Sequence, residues 1–120
     1  QSIPVRQDLR TRMQDFSGAL SHNPASSEAY KLRGDTFTKN GNYRIALKSY
    51  DQSLKLNRYA AGAYKGRGLA LILSGKSESA IENFDNSLAL VHTDSETIAL
   101  RSIAHIRITS VTSGLMQQHG

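Results

Sequence analysis

The chain matches itself when it is displaced by 34 residues, and this constrains its fold more than any other feature. Tyr30 falls on Tyr64, Gly34 on Gly68, Gly41 on Gly75, Ala46 on Ala80 and Tyr50 on Phe84. The run Ser53-Leu54-Lys55-Leu56 falls on Ser87-Leu88-Ala89-Leu90, and a third copy opens at Ser95, with Ile98 in the tyrosine column and Arg101 aligned with Arg33 and Arg67. Repeats of this period are pairs of helices that bury their apolar faces only by stacking on their neighbours.

The local signals agree with helices. Pro4 suits the first turn of a helix, where its missing N–H is not needed. Leu9, Met13, Phe16, Ala19 and Leu20 then recur at helical spacing up to Pro24. Helices are predicted over 26–40, 43–56, 61–73, 77–90 and from 95 to about Thr109. Ser26 or Ser27 serves as a cap, and Thr93-Asp94-Ser95-Glu96 has capping-box spacing. Gly41 and Gly75 occupy the turns, where a left-handed residue ends a helix. Inside a helix glycine costs roughly 1 kcal/mol against alanine, so Gly34 and Gly68 are explained by close helix crossing rather than by propensity. Ala46 and Ala80 are their expected counterparts on the second helix of each pair. Residues 110–120 are expected to fray.

These residues resemble the tetratricopeptide repeat, whose pattern is an aromatic, a small residue and an aromatic, then after the turn alanine, an aromatic and a small residue. One unit reads Tyr30, Gly34, Phe37, Gly41, Tyr43, Ala46, Tyr50 and Ser53; the next reads Tyr64, Gly68, Leu71, Gly75, Ala80, Phe84 and Ser87. The resemblance implies an all-α fold of helix–turn–helix repeats stacked in a right-handed superhelix. It implies a single domain over 4–109, divided into a half repeat 5–24, repeats 27–60 and 61–94, and a half repeat 95–109. Arg58 and His92 replace the closing proline of the pattern, and Arg33, Arg67 and Arg101 replace its leucine. That Arg-Gly variant, with Tyr50-Asp51 and Phe84-Asp85, is similar to a bacterial subset of the family, and each arginine is expected to pair with Asp51 or Asp85 on a neighbouring helix rather than to snorkel to water.

In the family the first helices of successive units line a concave groove that binds a peptide or a partner helix. The resemblance maps that groove onto Lys31, Asp35 and Thr38, then Lys65, Leu69 and Ile72, then Ala99, Ile103 and Ile106, with Lys39, Leu73 and Arg107 near the edge. Some members grip the terminal carboxylate of chaperone tails with a lysine, asparagine and arginine set. Lys31 matches one lysine, but Asp35 stands where asparagine is needed, and Gly66 and Leu100 break the remainder, so that activity is not expected. The expected function is a protein-interaction scaffold. The alternative is a structural or self-associating module of a larger bacterial envelope, secretion or pilus-related protein.

Residues 95–109 are apolar on nearly all sides, and such a helix needs cover on more than one face. Either the chain is cut from a longer protein or a second copy covers this helix as a homo-oligomer; the start at Gln1 rather than Met fits a processed product or an excised segment. The remaining observations exclude more than they propose. There are no cysteines, hence no disulfide or thiolate metal site, and the chain suits a cytoplasmic or a periplasmic compartment equally. No apolar run is long enough to span a membrane, and no signal peptide is visible. The net charge of +5 is scattered rather than gathered into a nucleic-acid patch. Ala70 to Ser77 loosely fits a phosphate-binding loop but lacks the preceding strand. Arg33-Gly34-Asp35 lies on a helix rather than on a displayed loop, and His22, His92, His105 and His119 have no ligand spacing; His105 falls in the packing column of Phe37 and Leu71. No enzyme, cofactor or metal is expected.

Overall fold

A computed structural model describes residues 26–119, with side chains up to Val111. Five helices follow one another: α1 (Ser27–Lys39), α2 (Tyr43–Leu56), α3 (Ala61–Leu73), α4 (Ser77–Leu90) and α5 (Ser95–His119). There are no strands among the described residues. The first four helices lie where the apolar spacing put them. The predicted helix before Pro24 lies outside the described residues.

The turns show why the helices stop. Gly41 has φ 78° and Gly75 φ 84°, the left-handed conformation that L side chains resist. Beyond α1, the Gly41 N–H donates to Thr38 O at 3.1 Å and the Asn42 N–H to Phe37 O at 2.9 Å. Beyond α3, the same two bonds recur from Gly75 to Ile72 O at 3.0 Å and from Lys76 to Leu71 O at 2.8 Å. Both are Schellman closures, which satisfy carbonyls that the end of a helix leaves unpaired.

At the start of α1, Ser26 Oγ accepts from the Ala29 N–H at 3.1 Å. At the start of α5 the cap is Asp94 rather than Thr93. Its Oδ1 accepts from the backbone of Glu96 at 3.2 Å and of Thr97 at 3.4 Å, and its Oδ2 from the Thr97 hydroxyl at 2.8 Å. A carboxylate accepts several bonds at once and also complements the positive end of the helix. Glu96 therefore makes no capping box and turns to Lys65 instead.

Neighbouring helices pack in sequence, α1 on α2 through α4 on α5. The first helices of the units also touch, α1 on α3 and α3 on α5, whereas the second helices α2 and α4 do not. The array therefore curves towards α1, α3 and α5. One core cluster holds Ala46, Tyr50, Ala63 and Ala70; the other holds Leu71, Ile72, Ala80, Phe84 and Ala104, and half-buried Leu47 packs on both.

Aromatic rings rather than alanines meet the helix glycines. A Cβ on Gly34 would lie 2.6 Å from Tyr50 Cε1, and one on Gly68 2.5 Å from Phe84 Cε1. Gly66 approaches the same tyrosine, its Cβ position also 2.6 Å from Tyr50 Cε1. Ala46 and Ala80 are fully buried nearby but are not the closest neighbours of these glycines. Buried Ser53 and Ser87 close each pair at its base: Ser53 Oγ donates to Ser27 O at 2.8 Å, and Ser87 Oγ to Ala61 O at 3.0 Å.

Arg67 Nε lies 3.0 Å from Asp51 Oδ1, and Arg101 Nη1 3.0 Å from Asp85 Oδ1. Each pair joins the first helix of one unit to the second helix of the unit before it, as the sequence led one to expect. Arg33 stacks over Phe37 at 5.5 Å.

The last helix departs from expectation. It runs to His119 rather than ending near Thr109. No proline interrupts residues 110–119, and the single Gly114 weakens a helix without ending it. His105 is exposed rather than half-buried. Its column is covered in the earlier units by the second helix of the same pair, and no second helix follows α5 among the described residues.

Candidate functional groove

The concave side holds a cavity of about 430 Å³ walled by α1, α3 and the start of α5. Lys31 and Asp35 come from α1, Gly62, Lys65, Gly66 and Leu69 from α3, and Glu96 and Leu100 from α5. Val91 and Asp94 close it from the loop between α4 and α5. Two of its lining residues, Gly62 and Gly66, are glycines, and Gly66 backs onto the ring of Tyr50. The Lys31 stem lies across Gly62, its Cε 3.2 Å from where a Cβ would stand.

Of the nine residues expected to face the groove, four line this cavity: Lys31, Asp35, Lys65 and Leu69. Thr38 and Ile72 do not, and this corrects the expectation. Thr38 is 8% exposed and its hydroxyl donates to Gly34 O at 2.8 Å, while Ile72 is 3% exposed and belongs to the core cluster with Phe84 and Ala104. That column is turned into the stack. Its third member, Ile106, is 63% exposed because no further helix covers α5 among the described residues. Ala99 and Ile103 are exposed on α5 but do not wall the cavity. Ile106 lines a separate depression of about 900 Å³ between the α3–α4 turn and the far part of α5, with Lys76, Glu78, Arg107 and Val111. Arg107, expected near the groove's edge, lines that depression instead, and its Nη1 donates to Ile72 O at 3.3 Å.

Glu96 lines the cavity without being expected there, as do Gly66 and Leu100, the two residues that break the carboxylate-gripping set. The signal was present: displaced by one period, Gly62 becomes Glu96 and Gly66 becomes Leu100. These columns face the cavity in both units.

Every ammonium of this cavity already faces a carboxylate. Lys31 Nζ lies 2.9 Å from Asp35 Oδ2. Lys65 Nζ lies 3.1 Å from Asp94 Oδ2 and 3.3 Å from Glu96 Oε2. Burial works against the Lys65 charge, but the bonds to Asp94 and Glu96 outweigh it and raise its pKa above the ordinary lysine value. The Thr97 hydroxyl and then Lys65 hold the Asp94 carboxyl below its ordinary pKa.

The groove is also tied to the core. Tyr50, 1% exposed, donates its hydroxyl proton to Asp35 Oδ1 at 2.6 Å. Burial, and then this bond to a carboxylate, push the phenol pKa far above its usual value. The two segments singled out for chemistry are explained by the fold. Gly75-Lys76-Ser77 is the turn into α4, and Arg33-Gly34-Asp35 lies within α1, with Gly34 buried under Tyr50. No helix among the described residues is long and apolar enough to cross a membrane.

The backbone is similar to solved tetratricopeptide-repeat domains. The second such domain of human RPAP3, in complex with the HSP70 peptide SGPTIEEVD, matches with a TM-score of 0.72 at 19% identity, over 84% of this chain and 81% of that one. The first such domain of Spaghetti (RPAP3), bound to the HSP90 peptide SRMEEVD, matches with a TM-score of 0.76 at 15% identity, over 88% and 93%. The Arabidopsis OM64 domain gives 0.70 at 18% identity, over 74% of each chain. No protein-family model matches the sequence, and no curated protein is significantly similar to it. The likeness establishes the fold, a helical-repeat solenoid of the tetratricopeptide type.

Proposed function

We propose that this chain is a protein-interaction scaffold that holds an extended peptide or a partner helix in the groove between α1, α3 and α5. The observation that carries this reading is the open cavity of about 430 Å³ floored by Gly62 and Gly66 and flanked by half-buried Leu69 and Leu100. A segment of chain fits such a space, with apolar side chains as anchors and polar groups to orient it. Domains of the same fold solved with HSP70 and HSP90 peptides support a peptide-binding role. Those peptides end in acidic residues, and that specificity is not carried over, because Asp35 and Glu96 would face them. The reading needs no reaction and no cofactor.

The test is a display selection of random dodecapeptides on the full chain, followed by titration of the isotope-labelled protein with the selected peptides. Amide shifts centred on Gly62, Gly66, Leu69 and Leu100 are expected. Selected peptides that leave these amides unmoved would overturn the reading.

A second reading concerns α5, where Ile103 is 43%, Ile106 63% and Val111 64% exposed. Exposed apolar residues at these positions favour burial against another copy, as in a self-associating module of an assembly. The Arg67–Asp51 and Arg101–Asp85 pairs support assigning the repeats to the bacterial Arg-Gly variant.

A further inference from the structure

From the charge arrangement of the groove we infer that its occupant is a basic segment, a lysine or arginine beside aliphatic anchors, rather than an acidic tail or a free carboxyl terminus. This rests on the groove being the binding face. Three carboxylates, Asp35, Asp94 and Glu96, stand in the cavity against two ammonium groups, Lys31 and Lys65. The excess is one negative charge, in a chain whose overall charge is +5. The groove is thus charged oppositely to the molecule that carries it.

The distribution of contacts sharpens the point. Asp94 is occupied with capping α5 and with Lys65. Asp35 uses one oxygen for the Tyr50 hydroxyl and the other for Lys31. Glu96 is held by one ion pair, at 3.3 Å, and its side chain is 72% exposed. An incoming guanidinium or ammonium adds to Glu96 without displacing anything, because a carboxylate has lone pairs to spare. An incoming carboxylate reaches the remaining hydrogens of Lys31 only beside Asp35, and those of Lys65 only beside Asp94 and Glu96, so that an acidic group faces it in either place. Like charges brought together at an interface are strongly unfavourable, so the preference for a basic over an otherwise identical acidic peptide is expected to be about tenfold or more at low salt. The aliphatic neighbours of the basic residue would rest on Leu69, Val91 and Leu100.

The same dodecapeptide selection tests this on the full chain. The expected pool is enriched in lysine and arginine, its binding weakens as salt rises, and its members shift Gly62, Gly66, Leu69 and Leu100 amides. Glu96→Lys should remove the enrichment. Since Glu96 stands in the first turn of α5, Asp35→Asn, which keeps an acceptor for Tyr50, serves as a second variant, and circular dichroism verifies that both fold. Peptides that shift the groove amides but are acidic or uncharged overturn the charge assignment and leave the groove reading intact. So does an unchanged basic pool with both folded variants. Selected peptides that never touch the groove amides overturn both.

Discussion

Tyr50 and Asp35 join the core to the groove: the tyrosine hydroxyl, carried by a ring almost wholly excluded from water, donates to the groove carboxylate at 2.6 Å. The phenol cannot ionise while it is buried beside that charge, so its pKa is raised in the folded chain. The unfolded chain releases the proton near pH 10. The stability this protonated phenol contributes is present in full below that value and is lost as pH rises above it, by about 1.4 kcal/mol for each further pH unit.

Replacement of Tyr50 by phenylalanine should therefore flatten the alkaline limb of the stability curve. Phe84, one period later, shows that the ring alone fits such a site. The 295 nm absorbance of folded wild type and Tyr50→Phe should rise equally up to pH 11. An additional phenolate in the folded wild type would refute the assignment.

The glycines separate into two kinds. Gly34→Ala and Gly68→Ala would drive a methyl to 2.6 and 2.5 Å from buried rings. Overpacking of this kind costs about 1–3 kcal/mol and exceeds the gain in helix propensity. Gly62→Ala meets only the far end of the Lys31 side chain, at 3.2 Å, which can move. It should be neutral or stabilising by up to about 1 kcal/mol. Urea denaturation of the three variants decides, and the opposite order would mean that Tyr50 and Phe84 do not stand over Gly34 and Gly68.

The arginine–aspartate pairs, Arg67–Asp51 and Arg101–Asp85, are more than a third exposed on each side. Solvent screens such pairs, and a double-mutant cycle on each should give a coupling of about 0.2–1 kcal/mol that fades in 1 M salt. A coupling that survives high salt would show that they are not surface pairs.

Asp94 should contribute to the acid limb of stability. Its pKa is lowered in the folded chain by the Thr97 hydroxyl and Lys65. Its contribution is present above the unfolded value of about 4 and is lost as pH falls through the lowered folded value. Asp94→Asn should lower the melting temperature at neutral pH and narrow the difference from wild type as pH falls below about 4. A pH-independent difference would assign Asp94 a role unrelated to its charge.

Self-association through α5 is checked by light scattering over a wide concentration range. A dimer that dissociates on Ile106→Lys or Val111→Lys is expected, both positions being more than half exposed. A wild-type monomer at every concentration would exclude the second copy.

Much of this architecture was legible as spacing. Periodicity located α1 to α4, the turn glycines marked their ends, and the arginine and aspartate columns foretold the two pairs that the structure contains. Spacing reports which face of a helix a residue occupies, not how deep the neighbouring helix sits, so Thr38 and Ile72 were placed on the groove although the stack covers them. The capping-box spacing from Thr93 to Glu96 pointed to the wrong cap, since Asp94 one residue on takes the free N–H groups of α5. The end of α5 was misjudged for a related reason: serine and threonine weaken a helix without stopping it. The excess of acid in the groove became visible only when Glu96, Asp94 and Asp35 were brought into one cavity from separate elements.

Gly34 of α1 and Gly66 of α3 both press against the ring of Tyr50. The approach of α1 and α3 behind the groove is thus limited by one buried aromatic ring. A groove gauged from behind in this way is a template of fixed width. A visiting segment must do the adapting, and the entropy of ordering falls on the visitor rather than on the host.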